Sequence, residues 1–195
     1  MALKAVVFDV GETLVDETGM WERAADAAGV PRFTLMGVLG GLAVRGEHHS
    51  KVWEILGVEP SASTWEAGDF YDDALPCLNA LRQLGLLVGA AGNVPAGSEE
   101  PLREHVDLLG SSGLGGIEKP APEFFVRIAG EAGLAAEEIA YVGDRVDNDI
   151  EPAVAAGMVA VHIRRGPWGF LQPGRERAHI RIDSLSELPE VLAHV

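Results

Sequence analysis

Ala5-Val6-Val7-Phe8-Asp9-Val10-Gly11-Glu12-Thr13-Leu14 lies near the start of the 195-residue chain. Four apolar residues, two of them β-branched, follow Lys4 and run into a glycine-containing turn, the pattern of a short strand buried on both faces of a parallel sheet. Asp9 then emerges at the carboxyl end of that strand. Ligand crevices of open α/β sheets lie outside the carboxyl ends of the strands, so an ionised aspartate there stands where chemistry is possible. The competing reading is an aspartate that only caps a turn.

Outward from this stretch, the length suits one domain with a full core, or one domain carrying an insertion. No apolar run approaches the ~20 residues of a membrane helix. Asp9 also interrupts Val-Val-Phe before it could form a signal-peptide core, so a cytoplasmic, non-membrane protein is expected. The single cysteine, Cys77, has no partner for a disulfide or a cysteine-based zinc site and reads as a packing residue. With 30 acidic against 15 basic residues the net charge is -15, which repels polyanions and argues against nucleic acid as a partner. An anionic small-molecule substrate must then be held by local cations.

After Leu14 the pattern becomes helical over 20–29, 34–42 and 47–56, with no strand-like run before Tyr71. A helix over 74–85 leads into an apolar strand at 86–91 and the loop Gly92-Asn93-Val94-Pro95. A short helix at 98–105, a strand at 106–109 and a helix at 122–133 follow, the last preceded by Glu118-Lys119-Pro120. Next come a strand at 139–142, the acidic loop Gly143-Asp144-Arg145-Val146-Asp147-Asn148-Asp149, a helix to Ala156 and a strand at 159–163. The tail reads as a turn-rich loop at 164–169, a strand at 180–182 and a final helix opened by the capping-box pair Ser184 and Glu187. This alternation implies a doubly wound parallel α/β core formed by residues 1–14 and 74–195, with an all-helical insert at 15–73 after the first strand.

Three loops thus bring together Asp9, Lys119 and the pair Asp144 and Asp149. Carboxylates crowded at one crevice repel one another unless a cation sits among them, and hard oxygen donors suit Mg²⁺. FDVGETL, GIEKPAPEFF and YVGDRVDNDI, in this order and spacing, resemble the haloacid dehalogenase superfamily over the whole chain, and the insert resembles its small helical (C1-type) cap. The resemblance implies a Rossmannoid hydrolase core and a Mg²⁺-dependent phosphatase acting on a small phosphorylated metabolite. It also implies site roles: Asp9 as the nucleophile forming an aspartyl-phosphate, Lys119 neutralising Asp9 and the phosphoryl group, and Asp9, the backbone carbonyl of Gly11, Asp144 and Asp149 holding the metal. Asp149 would act mainly through water. Gly92, Asn93 and Lys119 would hold the substrate.

Two positions depart from the family pattern. Gly11 stands where family phosphatases carry a second aspartate as general acid/base, and Gly92 stands where a serine or threonine hydroxyl holds a phosphate oxygen. A positioned general acid is worth ~10²–10⁴ in rate, so restoring an aspartate at 11 is expected to raise turnover. Glu12 is a substitute only if it turns inward, and an exposed turn carboxylate is the expected alternative. Two other activities compete with the phosphatase: a metal-independent dehalogenase, disfavoured by the retained Asp144 and Asp149, and a ligand-binding or regulatory protein without useful turnover. His48 and His49, read as adjacent helical residues about 100° apart, do not make a metal pair. Arg145 either reaches a phosphate or pairs with Asp147 or Asp149. Trp21, Trp53 and Trp65 either line a pocket in the insert or pack its helices.

Overall fold

Strand β1, Ala5–Phe8, is buried along its whole length. Its residues alternate between two cores as a strand's period of two requires. Val6 and Phe8 pack with Leu78, Leu81 and Leu188 on one face, and Ala5 and Val7 with Phe124, Phe125 and Ile128 on the other. The computed structural model describes residues 2–61, 63–95 and 97–194; Met1, Ala62, Ala96 and Val195 lie outside the described residues, Met1 and Val195 being the outer limits of the expected core.

Among the described residues five more strands complete the sheet: β2 Leu87–Gly92, β3 Leu108–Ser111, β4 Ile139–Gly143, β5 Val159–Ile163 and β6 Ile180–Ile182. All neighbours are parallel, in the order β3-β2-β1-β4-β5-β6. The chain moves outward from β1 through β2 to β3 and then returns to the far side of β1, so the order reverses between β1 and β4. That reversal is where a doubly wound sheet opens a crevice. Phe8 is in register with Val142, and the Asp9 N–H donates to the Val142 carbonyl at 2.8 Å. Asp9 is thereby fixed at the crevice.

Helices α1 Thr18–Ala27, α2 Arg32–Val44 and α3 Lys51–Leu56 lie between β1 and α4 Ala74–Gln83. They share their own apolar cluster, built on Leu35, Leu39, Leu42, Val52 and Trp53. Helices α5 Ser112–Gly115, α6 Pro122–Ala132, α7 Glu151–Ala155, α8 Gly166–Leu171 and α9 Leu188–Leu192 follow in the order of the chain. Among the described residues no single helix is long and apolar enough to cross a membrane.

Four expectations need correction. Only 164–165 of the expected loop at 164–169 are loop: Gly166 and Pro167 open α8, because proline at the first turn of a helix sacrifices no hydrogen bond and Trp168 gains burial against the α1–α3 cluster. The expected helix at 98–105 shrinks to one tight turn at Glu100–Leu102, containing Pro101. Asp149 is not in a loop, since residues Val146–Ile150 form a wide π-helical turn that runs straight into α7. His48 and His49 precede α3 rather than belong to it, and their rings lie 4.1 Å apart.

Candidate active site

Each expected charged residue follows from its element. Asp9 continues β1, Asp144 follows β4, Asp149 sits in the π-helical turn beyond it, and Lys119 comes from the loop before α6. The Lys119 ammonium is buried and donates to Asp9 Oδ1 at 2.6 Å and to Asp149 Oδ1 at 2.5 Å. Burial opposes its charge, but Asp149 and Asp9 outweigh that and hold its pKa well above the usual lysine value. The other oxygen of Asp149 accepts from the Arg145 backbone N–H at 3.0 Å. Asp144 is 2% exposed, and burial together with Asp149 and Asp9 pushes its pKa well above the carboxylate range. Oxygens of Asp9, Asp144 and Asp149 all lie within 4.8 Å of one another. Three buried carboxylates facing one ammonium form a donor set that a small hard divalent cation fits.

The two glycines have spatial causes. A Cβ at Gly92 would stand 2.7 Å from Asp9 Oδ1, so this strand end accepts no side chain while Asp9 holds its position. Asn93 beside it donates from Nδ2 to the Lys119 carbonyl at 2.9 Å and accepts the Lys119 N–H at 2.8 Å. Its amide therefore sets the course of the lysine loop. A Cβ at Gly11 would stand 2.2 Å from Glu17 Oε1. The carboxyl group of Glu17 thus occupies the space a side chain at 11 would take. It accepts from Trp21 Nε1 at 3.2 Å; burial, then the neighbouring carboxylate of Glu12, push its pKa up to about 8.

Glu12 itself is not the exposed turn carboxylate expected. It adopts a left-handed backbone (φ 53°), accepts from Tyr71 O–H at 2.6 Å and from the Glu17 N–H at 3.1 Å, and burial raises its pKa. Asp9, Gly11, Glu12, Glu17 and Lys119 line one cleft of about 100 Å³ together with Asp144, Asn93, His48, His49, Arg145 and Trp168. Arg145 is paired bidentately with Asp147, at 2.9 and 3.2 Å, and its guanidinium lies 5.0 Å over the Trp168 ring. Trp53 and Trp65 are buried, and Trp21 lines the cleft.

Glu17 and Trp168 had no sequence signal of their own. Glu17 follows Asp16 in an ordinary helix-entry sequence, and only its contact with position 11 gives it meaning.

A family model described as haloacid dehalogenase-like hydrolase matches residues 3–157. Glyceraldehyde 3-phosphate phosphatase of Methanopyrus kandleri is 30% identical, with 97% of each chain covered. Phosphoglycolate phosphatase of Salmonella typhi is 30% identical over 75% of this chain and 62% of that one. Among solved structures, L-2-haloacid dehalogenase of Xanthobacter autotrophicus superposes with a TM-score of 0.70 at 17% identity, covering 98% of both chains, a likeness of fold alone. With the three motif regions inside the matched span and a relative aligned from end to end, the chain belongs to the haloacid dehalogenase-like hydrolases.

Proposed function

We propose that this hydrolase is a phosphatase: it cleaves the phosphate monoester of a small metabolite through a phosphorylated Asp9. The observation that carries this is Lys119 Nζ set between Asp9 and Asp149 with Asp144 alongside. Phosphoryl transfer asks a protein mainly for position and charge stabilisation, and this cluster supplies both. An oxygen of Asp9 attacks phosphorus, the bond from phosphorus to the ester oxygen breaks, and that oxygen leaves as the alcohol once protonated. Water then cleaves the acyl phosphate, releasing inorganic phosphate and regenerating Asp9. Lys119 balances the charge of Asp9 and of the phosphoryl oxygens throughout. Glu17, in the space beside Gly11, is the carboxyl group placed to give the leaving oxygen its proton and to take one from the attacking water.

Asp9, the Gly11 carbonyl and Asp144 would hold Mg²⁺, while Asp149, whose oxygens already serve Lys119 and the Arg145 N–H, would act through water. When bound, Mg²⁺ supplies the positive charge that lets the carboxylates and a phosphate share one cleft. Residues 15–73 act as a cap over the core of residues 1–14 and 74–195. The names of the two phosphatase relatives support the reaction, and the retained Asp144 and Asp149 favour it over dehalogenation, which needs no metal.

The test is hydrolysis of acetyl phosphate and p-nitrophenyl phosphate with and without Mg²⁺, beside an Asp9→Asn control. Mg²⁺-dependent turnover lost in Asp9→Asn, and a phosphoryl group trapped on Asp9 by acid quench, are expected. Equal turnover by Asp9→Asn would overturn the assignment.

A further inference from the structure

We infer that, granted the phosphatase chemistry above, the alcohol this site releases is uncharged and ring-bearing, not a hydroxy acid. A second cavity, of about 260 Å³, adjoins the cleft over Asp9 and shares Glu17, Trp21, His49, Asn93 and Val94 with it. A phosphate placed at Asp9 therefore directs the rest of the substrate into this cavity. Its volume lies just below the ~300–1,000 Å³ of pockets that take drug-sized ligands, leaving room for a ring beyond the phosphoryl group.

The lining decides the chemistry. Met20, Trp21, Trp53 and Trp65 supply apolar walls, and the Trp21 and Trp53 rings lie 6.3 Å apart. Indole faces suit a flat or ring-shaped group. Ser50, Ser61, Ser63, Thr64 and Ser98 line the same space, residues whose hydroxyls can both donate and accept. Trp65 Nε1 is buried and meets no acceptor among the described residues, so a ligand oxygen that reached it would satisfy it.

Among the described residues no lysine or arginine lines this cavity. His49 adds no charge near neutral pH, because burial, then His48 and Arg145, bring its pKa down to about 4. The two cations of the neighbouring cleft are engaged, Lys119 by Asp9 and Asp149, Arg145 by Asp147. A carboxylate on the leaving group would lose its hydration here and meet no cation, only the carboxyl of Glu17. Hydroxyls on a ring meet partners throughout.

The experiment measures kcat/KM of the full chain with Mg²⁺ on acetyl phosphate, on nucleoside 5′-monophosphates and hexose 6-phosphates, and on phosphoglycolate and phosphoserine. The ring esters are expected to exceed both acids by about tenfold or more, a tenfold ratio being ~1.4 kcal/mol of discrimination. Ser63→Lys, its folding checked by melting temperature, places a cation in the cavity and is expected to raise kcat/KM for phosphoglycolate about tenfold. Turnover of acetyl phosphate with the hydroxy acids equal to or better than the ring esters would overturn this inference and leave the phosphatase standing. No gain on phosphoglycolate in a folded Ser63→Lys would also overturn it. Hydrolysis of none of these compounds, acetyl phosphate included, would overturn both.

Discussion

Position 11 is filled by a neighbour. Because Glu17 Oε1 lies 2.2 Å from where a Cβ at Gly11 would be, Gly11→Asp alone drives a carboxyl group into Glu17. It is expected to lower turnover, the reverse of what the bare sequence implies. Glu17→Gln should slow alkyl phosphates by about 10²–10⁴ and spare acetyl phosphate, whose leaving group departs without a proton. Gly11→Asp combined with Glu17→Gly should recover much of the alkyl phosphate rate. Steady-state rates on the alkyl and acyl pair check all three variants, and equal losses on both substrates would mean that Glu17 only shapes the cleft. His49 makes a separate prediction. Its folded pKa of about 4 lies below its ordinary 6.5, so the unfolded chain binds the extra proton. Stability is complete above pH 6.5 and falls as pH drops from there toward 4, by up to about 3 kcal/mol at ~1.4 kcal/mol per pKa unit. Urea melts across this window should fall less steeply for His49→Gln.

Elements meet at Arg165, one residue before α8. Its guanidinium donates to the Thr13 carbonyl at 2.9 Å, pairs with Asp73 and lies 4.2 Å over the Tyr71 ring. Thr13 belongs to the connection leaving β1 for α1–α3, while Tyr71 and Asp73 belong to the return connection. Asp73 also accepts from Ser184 Oγ at 2.7 Å and from the Leu185 N–H at 3.0 Å. Arg165 therefore fastens both connections to the segment that follows β5, and Asp73 ties them on to the start of the last helical segment. Arg165→Ala leaves a part-buried carboxylate short of its cation and is expected to cost about 2–4 kcal/mol in urea unfolding. Arg165→Lys should recover only part, since an ammonium lacks the rigid planar fork of a guanidinium and does not stack on the tyrosine ring. Trp168, on the helix that follows, packs into the α1–α3 cluster. Trp168→Ala should cost about 3–5 kcal/mol, as large-to-small changes of buried aromatics do.

For the whole molecule, a cation bound only by the folded chain adds RT ln(1 + [L]/Kd), about 2.7 kcal/mol at 100 times Kd. For a chain of this size that is a rise of roughly 5–10 °C in Tm. Thermal melts with Mg²⁺ are expected to show it and Asp144→Asn to abolish it; an unchanged response in that variant would remove Asp144 from the metal site. The sheet and the charged cluster were legible in the sequence because both are written locally. Short β-branched runs specify strands, the helical stretches between them force parallel pairing, and loops after parallel strands open at one edge, which gathers Asp9, Lys119, Asp144 and Asp149. Strands β5 and β6 fall at their expected limits. The surroundings of that cluster were not legible, because they depend on residues distant in the chain. Glu12 turns inward for Tyr71, 59 residues on, and Arg165 reaches Thr13 across 152. Gly166 and Pro167 look like a turn until Trp168 finds a cluster to enter. Even at six residues' separation, the exchange of a side chain at 11 for the carboxyl of Glu17 depends on how α1 leaves the sheet. Periodicity and local propensity determined the scaffold and its charged edge; tertiary packing alone decided which groups complete the site, since propensity carries no information about what a side chain meets across space.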